Sequence, residues 1–235
     1  MSQANPLSDF FTLYQVVGRA EELCGEVEKG LVQRTSIVEV LKRKMIQAPT
    51  YGKGAFRKFF RLPATLPVAG DDTLSYDTLG VREVIGISVP DLTAIQDGDP
   101  GVYTELDSWE AFVRARKNSE RATYGRYYYV MGGEKKAYLV NGGSVQAQSE
   151  LTLVYECTPY VGFNDATVDD KQTLIDIPDF LVPFVETGTA VEALQQAGSK
   201  NLQGSSLVDK FETAMRDLNG MIQQQAAALK QTHQD

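Results

Sequence analysis

The side chains able to do chemistry in this chain are few, and their spacing does not suit it. The single histidine, His233, sits next to the C-terminal end, where chains commonly fray, so no Ser-His-Asp or Cys-His arrangement can be built on it. Two cysteines, Cys24 and Cys157, lie far apart in sequence, and with one histidine they cannot supply the short-range ligand spacing of a zinc site. Tyr51-Gly52-Lys53-Gly54 has a lysine among glycines but lacks the long glycine spacing and the Lys-Ser/Thr pair that grip phosphates and magnesium, so it reads as a loop. Asp71-Asp72 and Asp169-Asp170 are pairs of the kind a glycosidase or a calcium site uses. Neither has spaced ligands around it, and both read as solvated turn acids. The expectation is a protein that is not an enzyme and holds no metal or cofactor.

Charge is more informative. Between Leu31 and Leu62 the bases Arg34, Lys42, Arg43, Lys44, Lys53, Arg57, Lys58 and Arg61 face one acid, Glu39, a local +7. The chain totals −8, so the remainder carries −15. Such a dipolar subunit has three readings: a solvated basic face, a surface for an acidic protein, or the lining of a channel crossed by DNA. The overall negative charge disfavours nonspecific nucleic-acid binding by the chain as a whole. No apolar run of about 18 residues is present to span a bilayer, and no secretory signal is expected at the start. Both cysteines are expected to be reduced core thiols.

The elements that must position these residues fall into two kinds. Leu7, Phe10, Phe11, Tyr14, Val17 and Ala20 recur at helical spacing after Ser8 and Asp9, which can cap the first amides. Ile37, Val40, Leu41, Met45 and Ala48 repeat that spacing until Pro49. Near the other end, Pro178 opens a helix carrying Leu181, Phe184, Val185, Gly188, Val191 and Leu194 and stopping at Gly198. Ser206 then opens a last helix through Leu207, Phe211, Met215, Leu218, Ile222 and Leu229. Between these ends, β-type alternation runs through Phe60–Val68, Val81–Val89, Tyr127–Val130, Ala137–Val140 and Leu151–Cys157, with a helix near Ser108–Lys117. Pro63 and Pro67 make the first of these an edge strand.

The expected fold is α+β: a four-helix bundle built from both chain ends, residues 1–54 plus 175–235, with a β-sheet or hairpin insertion over 55–174. Tyr124, Tyr127 and Tyr128 lie in the insertion, with Tyr128 on the opposite face from Tyr127 and Tyr129. Interface use and simple strand propensity account for these tyrosines equally well.

In this order of elements the chain resembles the head-to-tail adaptor, or connector, proteins of short-tailed bacteriophages. The resemblance rests on Leu66-Pro67-Val68-Ala69-Gly70-Asp71-Asp72-Thr73 followed by Tyr76, on Leu151-Thr152-Leu153-Val154-Tyr155 ahead of Pro159, and on Ile177-Pro178-Asp179-Phe180 opening a helix through Ala190 and Leu194. The basic second helix running into Phe56, Phe59 and Phe60 adds to it. Tyr76-Asp77-Thr78-Leu79-Gly80 lacks the proline-containing turn usual in that family, and Gly98 to Gly125 is longer than typical.

The resemblance implies a non-catalytic virion protein of the phage neck. It would form a ring, usually dodecameric, that touches identical neighbours, the portal protein above and a tail nozzle protein below, and continues the channel that DNA crosses. Met221, Ile222 and Leu229 have the spacing of a narrow groove-binding face and are the candidate portal contacts. Lys42, Arg43, Lys44, Lys53, Arg57, Lys58 and Arg61 are the candidate basic interface or channel lining. Tyr124, Tyr127 and Tyr128 are candidates for the tail or neighbour interface. Two other classes compete: a tail-associated carbohydrate- or receptor-binding protein using exposed tyrosines, and a hydrolase with an unusual carboxylate pair.

Overall fold

The computed structural model describes residues 7–91, 99–119, 125–143 and 147–231. The chain forms two compact units, Met1–Phe60 with Pro159–Asp235, and Arg61–Thr158.

The first unit holds helices α1 (Leu13–Val27), α2 (Arg34–Gln47), a short α4 (Asp165–Val168), α5 (Val182–Gln196) and α6 (Ser206–Gln231), the sheet unit being inserted in the chain between α2 and α4. α1 begins later than its apolar spacing suggests. Its cap is Thr12, whose hydroxyl accepts from the Gln15 amide while the Gln15 side chain accepts from the Thr12 amide. Ser8 instead donates its hydroxyl to the Asp179 carboxylate, and Thr12 bridges Leu174, so residues 7–12 are tied down rather than helical. α2 runs to Gln47 and tightens into a 3-10 segment at Ala48–Gly54 that carries Pro49. α5 is buried on nearly every side, through Val182, Val185, Gly188, Thr189, Ala190, Ala193 and Leu194, and packs against α1, α2 and α6. It is therefore the hub of the unit, and the other helices are laid around it. A short helix too weak to persist alone is stabilised this way by burial of its apolar faces.

The second unit is a seven-stranded mixed sheet with helix α3 (Trp109–Lys117). The strands are β1 (Arg61–Pro67), β2 (Thr73–Ser75), β3 (Val81–Ser88), β4 (Val102–Glu105), β5 (Arg126–Met131), β6 (Lys136–Asn141) and β7 (Glu150–Cys157), ordered β1-β7-β3-β4-β5-β6-β2. Among the described residues only β4 and β5 run parallel, with α3 between them in the chain. The two edge strands approach each other at a Val68–Leu74 bridge and an Ala69 N–H to Thr73 carbonyl bond, so the sheet nearly closes into a barrel. Its interior takes Leu74, Ile87, Tyr128, Leu139, Leu151, Leu153, Tyr155 and Cys157.

This corrects the expected fold class. The protein is α+β with a nearly closed seven-stranded sheet and six helices among the described residues, not a four-helix bundle bearing a hairpin insertion. The cause is the pair of short strands β2 and β4. They are three and four residues long, too short to show alternation, yet they supply the pairings that close the sheet.

Candidate interaction surfaces

Four bases of the segment, Arg34, Lys42, Arg43 and Lys44, meet carboxylates of their own unit. Lys42 pairs with Glu39 at 2.7 Å and lies 5.5 Å over the Phe163 ring. Arg43 and Lys44 reach the same carboxylate, Glu192 of α5, at 3.1 and 2.7 Å. Burial pushes the Glu192 carboxyl up, but the hydrogen bonds and charges of Lys44 and Arg43 outweigh it and hold the group below its ordinary value. Arg34 bridges Glu21 on α1 and Asp169 after α4, at 3.7 and 2.6 Å. Lys58 is exposed with its ammonium 5.2 Å over Phe59, and Arg57 lies beside Gly54. The Lys53 side chain lies outside the described residues, and Arg61 is exposed at the start of β1 in the other unit.

Helix α6 is anchored at its beginning. Leu207 is buried, and Phe211 stacks on Phe184 at 5.3 Å and presses on Gly188, where a Cβ would stand 3.1 Å from the Phe211 ring. Gly188 is needed for that close approach. Phe184 lies only two residues after the start of α5, so beyond Phe211 little of α5 remains for α6 to pack on. α6 then touches the Ala48–Gly54 turn and buries Leu218, while Met215 is 40% exposed. Met221 and Ile222 are half-buried, and the helix continues to Gln231, about 30 Å past Phe211 at 1.5 Å per residue. The Leu229 side chain lies outside the described residues.

Of the tyrosines, Tyr128 is 2% exposed; its hydroxyl donates to Glu105 at 3.3 Å inside the sheet unit, and it offers no surface there. Tyr127 is half-buried on the other face, and Tyr124 lies outside the described residues, as does His233. Three aromatics stand exposed where the sequence pattern gives no sign of it: Phe10, Trp109 and Tyr14, the last 39% exposed on α1. Phe10 is 76% exposed although its segment is pinned by the Ser8 hydroxyl, which accepts from the Phe10 and Phe11 amides. Trp109, 41% exposed, stacks on Phe112 and meets Tyr129 and Tyr138 edge-on. The apolar spacing predicts Phe10 on the buried stripe of a helix, but it lies in the bend that precedes α1, which starts only at Leu13.

The acidic pairs behave as turn residues. Asp71 accepts from the Thr73 hydroxyl at 2.6 Å, and Asp170 accepts from the Gln172 amide and the Thr173 hydroxyl. Among the described residues no three His, Cys, Asp or Glu side chains gather as they would around a metal, and no helix is long and apolar enough to cross a membrane. Cys24 is buried, donates weakly to the Ala190 carbonyl, and has its thiol pushed up to about 11 by burial, the behaviour of an inert core thiol.

One carboxylate does titrate in a useful range. Glu186 of α5 lies beside Phe10, Phe11 and Val16, and burial pushes it up to about 7 against the pull of Arg19 at 3.5 Å. The folded chain then binds a proton between about pH 7 and 4.5 that the unfolded chain does not, so this group makes stability fall as pH rises through that window. Glu186→Gln is expected to flatten the dependence and to raise stability at pH 8 by about 1–2 kcal/mol, read from urea melts at pH 5 and pH 8. An unchanged pH slope would remove Glu186 from this role.

No known protein-family model matches this chain, and no curated protein matches it.

Proposed function

We propose that this chain is a structural head-to-tail adaptor of a tailed bacteriophage, one subunit of a ring that joins the portal to the tail nozzle and continues the DNA channel. The observation that carries this reading is the terminal helix. α6 is held through Leu207, Phe211 and Leu218 and then runs on past its partner helix, presenting Met221 and Ile222 at the start of the outrunning part. A helix fixed at one end and extended at the other suits docking in a groove of a larger partner. A ring also multiplies individually weak contacts, so the subunit can be monomeric until the portal templates assembly. The order of sequence motifs supports the same reading.

Mixing the purified chain with the portal protein and imaging by negative-stain electron microscopy tests it. A ring added to the portal is the expected result, and no association at micromolar concentrations would overturn it. The basic segment has its own test. If it faces an acidic partner, Arg57→Glu and Lys58→Glu each weaken binding by roughly tenfold, and wild-type binding falls as salt shortens the screening length. Indifference to both charge reversal and salt would leave these residues a solvated face.

The exposed Trp109, held by Phe112, Tyr129 and Tyr138, favours a second reading, a carbohydrate-binding tail protein, because a rigid exposed indole can stack on a sugar. Binding on a glycan array that is lost in Trp109→Ala, with no ring on the portal, would select it.

A further inference from the structure

The sheet stays open along β1. On one side β1 is paired with β7 over its whole length. On the other it meets β2 only past its end, at the Val68–Leu74 bridge, and among the described residues no strand lies beside residues 61–65 there. An edge of this kind offers its backbone groups to any extended chain, a second copy of this one included.

Two hydrogen bonds fix which backbone groups face the open side. The Val68 amide donates to the Ser149 carbonyl just before β7, and the Ala69 amide donates to the Thr73 carbonyl of β2. In an antiparallel strand the N–H and C=O of one residue point the same way and successive residues alternate. Leu62, Ala64 and Leu66 therefore turn their backbone groups toward β7, and Arg61, Pro63, Thr65 and Pro67 turn theirs toward the open side. Two of these four carry no N–H. Thr65 is left as a donor between two prolines, and the next rung of the β1–β2 ladder, which would take an N–H from Pro67, cannot form. A proline at Leu62, Ala64 or Leu66 would instead delete a bond to β7, so the placement removes donors from the open side alone.

The edge has something to guard against. Leu62, Ala64 and Leu66 are half-buried, although Leu153 and Leu151, opposite Ala64 and Leu66 on β7, are fully buried. A strand added beside β1 would cover this apolar stripe while pairing its own backbone, so union of two copies has a driving force that the missing donors offset.

We infer that Pro63 and Pro67 close the β1 edge to strand addition, so that copies of this chain do not join through their sheets. The inference is independent of the adaptor reading. It also supplies what a subunit that stays single until a portal templates its ring requires.

Pro63→Thr with Pro67→Thr returns both donors without adding apolar surface, and sedimentation velocity of the full chain over roughly 10–500 μM compares it with wild type. The double variant is expected to associate at least tenfold more tightly than wild type, with the amides of 63–67 exchanging more slowly in the associated form. Adding Thr65→Pro puts a proline back on the same side without touching a β7 bond, and is expected to restore wild-type sedimentation. Trp109 fluorescence melts confirm that each variant is folded, and Pro63→Thr alone carries the same comparison if the double variant does not fold. A folded variant that sediments as wild type does, association that survives Thr65→Pro, or wild-type copies that assemble with the amides of Arg61 and Thr65 protected would each overturn the inference.

Discussion

A chain ending at residue 220 is expected to fold normally and to lose portal binding by at least about a hundredfold, or roughly 3 kcal/mol. The anchoring contacts of α6 all precede the cut: Leu207 is fully buried, Phe211 stacks on Phe184, and Leu218 is nearly buried. What is removed begins after Leu218, the last buried residue among the described side chains of α6, and includes the half-buried Met221 and Ile222. The thermal midpoint should therefore move by only a few degrees, since about 1 kcal/mol shifts Tm by roughly 2–4 °C at this chain length. Surface plasmon resonance against immobilised portal reads the loss, and circular dichroism confirms the fold. Met221→Asp with Ile222→Asp provides the finer control, placing charge on the candidate apolar face while keeping the helix length. Full-strength binding by the truncated chain would end the docking assignment.

How much of this was legible beforehand depends on element length. The long strands were readable because each shows a full alternation: Leu151, Leu153, Tyr155 and Cys157 all point into the sheet interior, and β1 lies at the edge that Pro63 and Pro67 demand. α3 begins directly after Ser108, whose hydroxyl accepts from the Ala111 amide, and α5 gives way near Gly198, which adopts a positive φ of 74°. The closure of the sheet was not readable. Thr73–Ser75 and Val102–Glu105 gain their stability from strands far away in sequence, and a segment of three or four residues carries no periodicity to announce that. Ser8 shows a different failure. A serine before an apolar stripe is a reasonable cap, and its hydroxyl does accept from the Phe10 and Phe11 amides, but it closes a turn while donating to a carboxylate 171 residues away, and Thr12 with Gln15 makes the reciprocal cap at which the helix starts.

The candidate surfaces were legible to the same degree. The basic residues were visible as a charge run, but only the packing of α2 on α5 reveals that Glu192 already engages two of them. The face separation of Tyr127 and Tyr128 followed from alternation, whereas the near-complete burial of Tyr128 follows from the curvature that closes the sheet around it.

The sheet unit contains the ion pair whose loss should cost most. Arg126 is 1% exposed, and its Nε and Nη2 donate to the two oxygens of Asp99 at 2.8 and 2.6 Å while Nη1 donates to the Tyr103 hydroxyl at 3.0 Å. That hydroxyl donates onward to Asn141, and Asp99 also accepts from the Gly101 amide, so one network ties β4, β5, β6 and the approach to β4 together. Asp99→Ala would leave a buried guanidinium without its carboxylate, a change that costs about 3–5 kcal/mol where one partner of such a pair is removed. Against a typical stability of about 5–15 kcal/mol, that brings the sheet close to unfolding. Trp109, the only tryptophan, lies in this unit, so its fluorescence in urea reports the sheet directly. Arg126→Met in the Asp99→Ala background should recover part of the loss, because the buried guanidinium that Asp99 neutralised is gone. Acid supplies an independent check. The Arg126 hydrogen bonds hold the Asp99 carboxyl below its ordinary value of 3.8, so the stabilisation is complete above that pH and is lost as pH falls through the folded value. Wild type should therefore lose stability below about pH 3.8 more steeply than Asp99→Ala does. Equal acid slopes, or an Asp99→Ala chain as stable as wild type at pH 7, would show that the pair does not hold the sheet together.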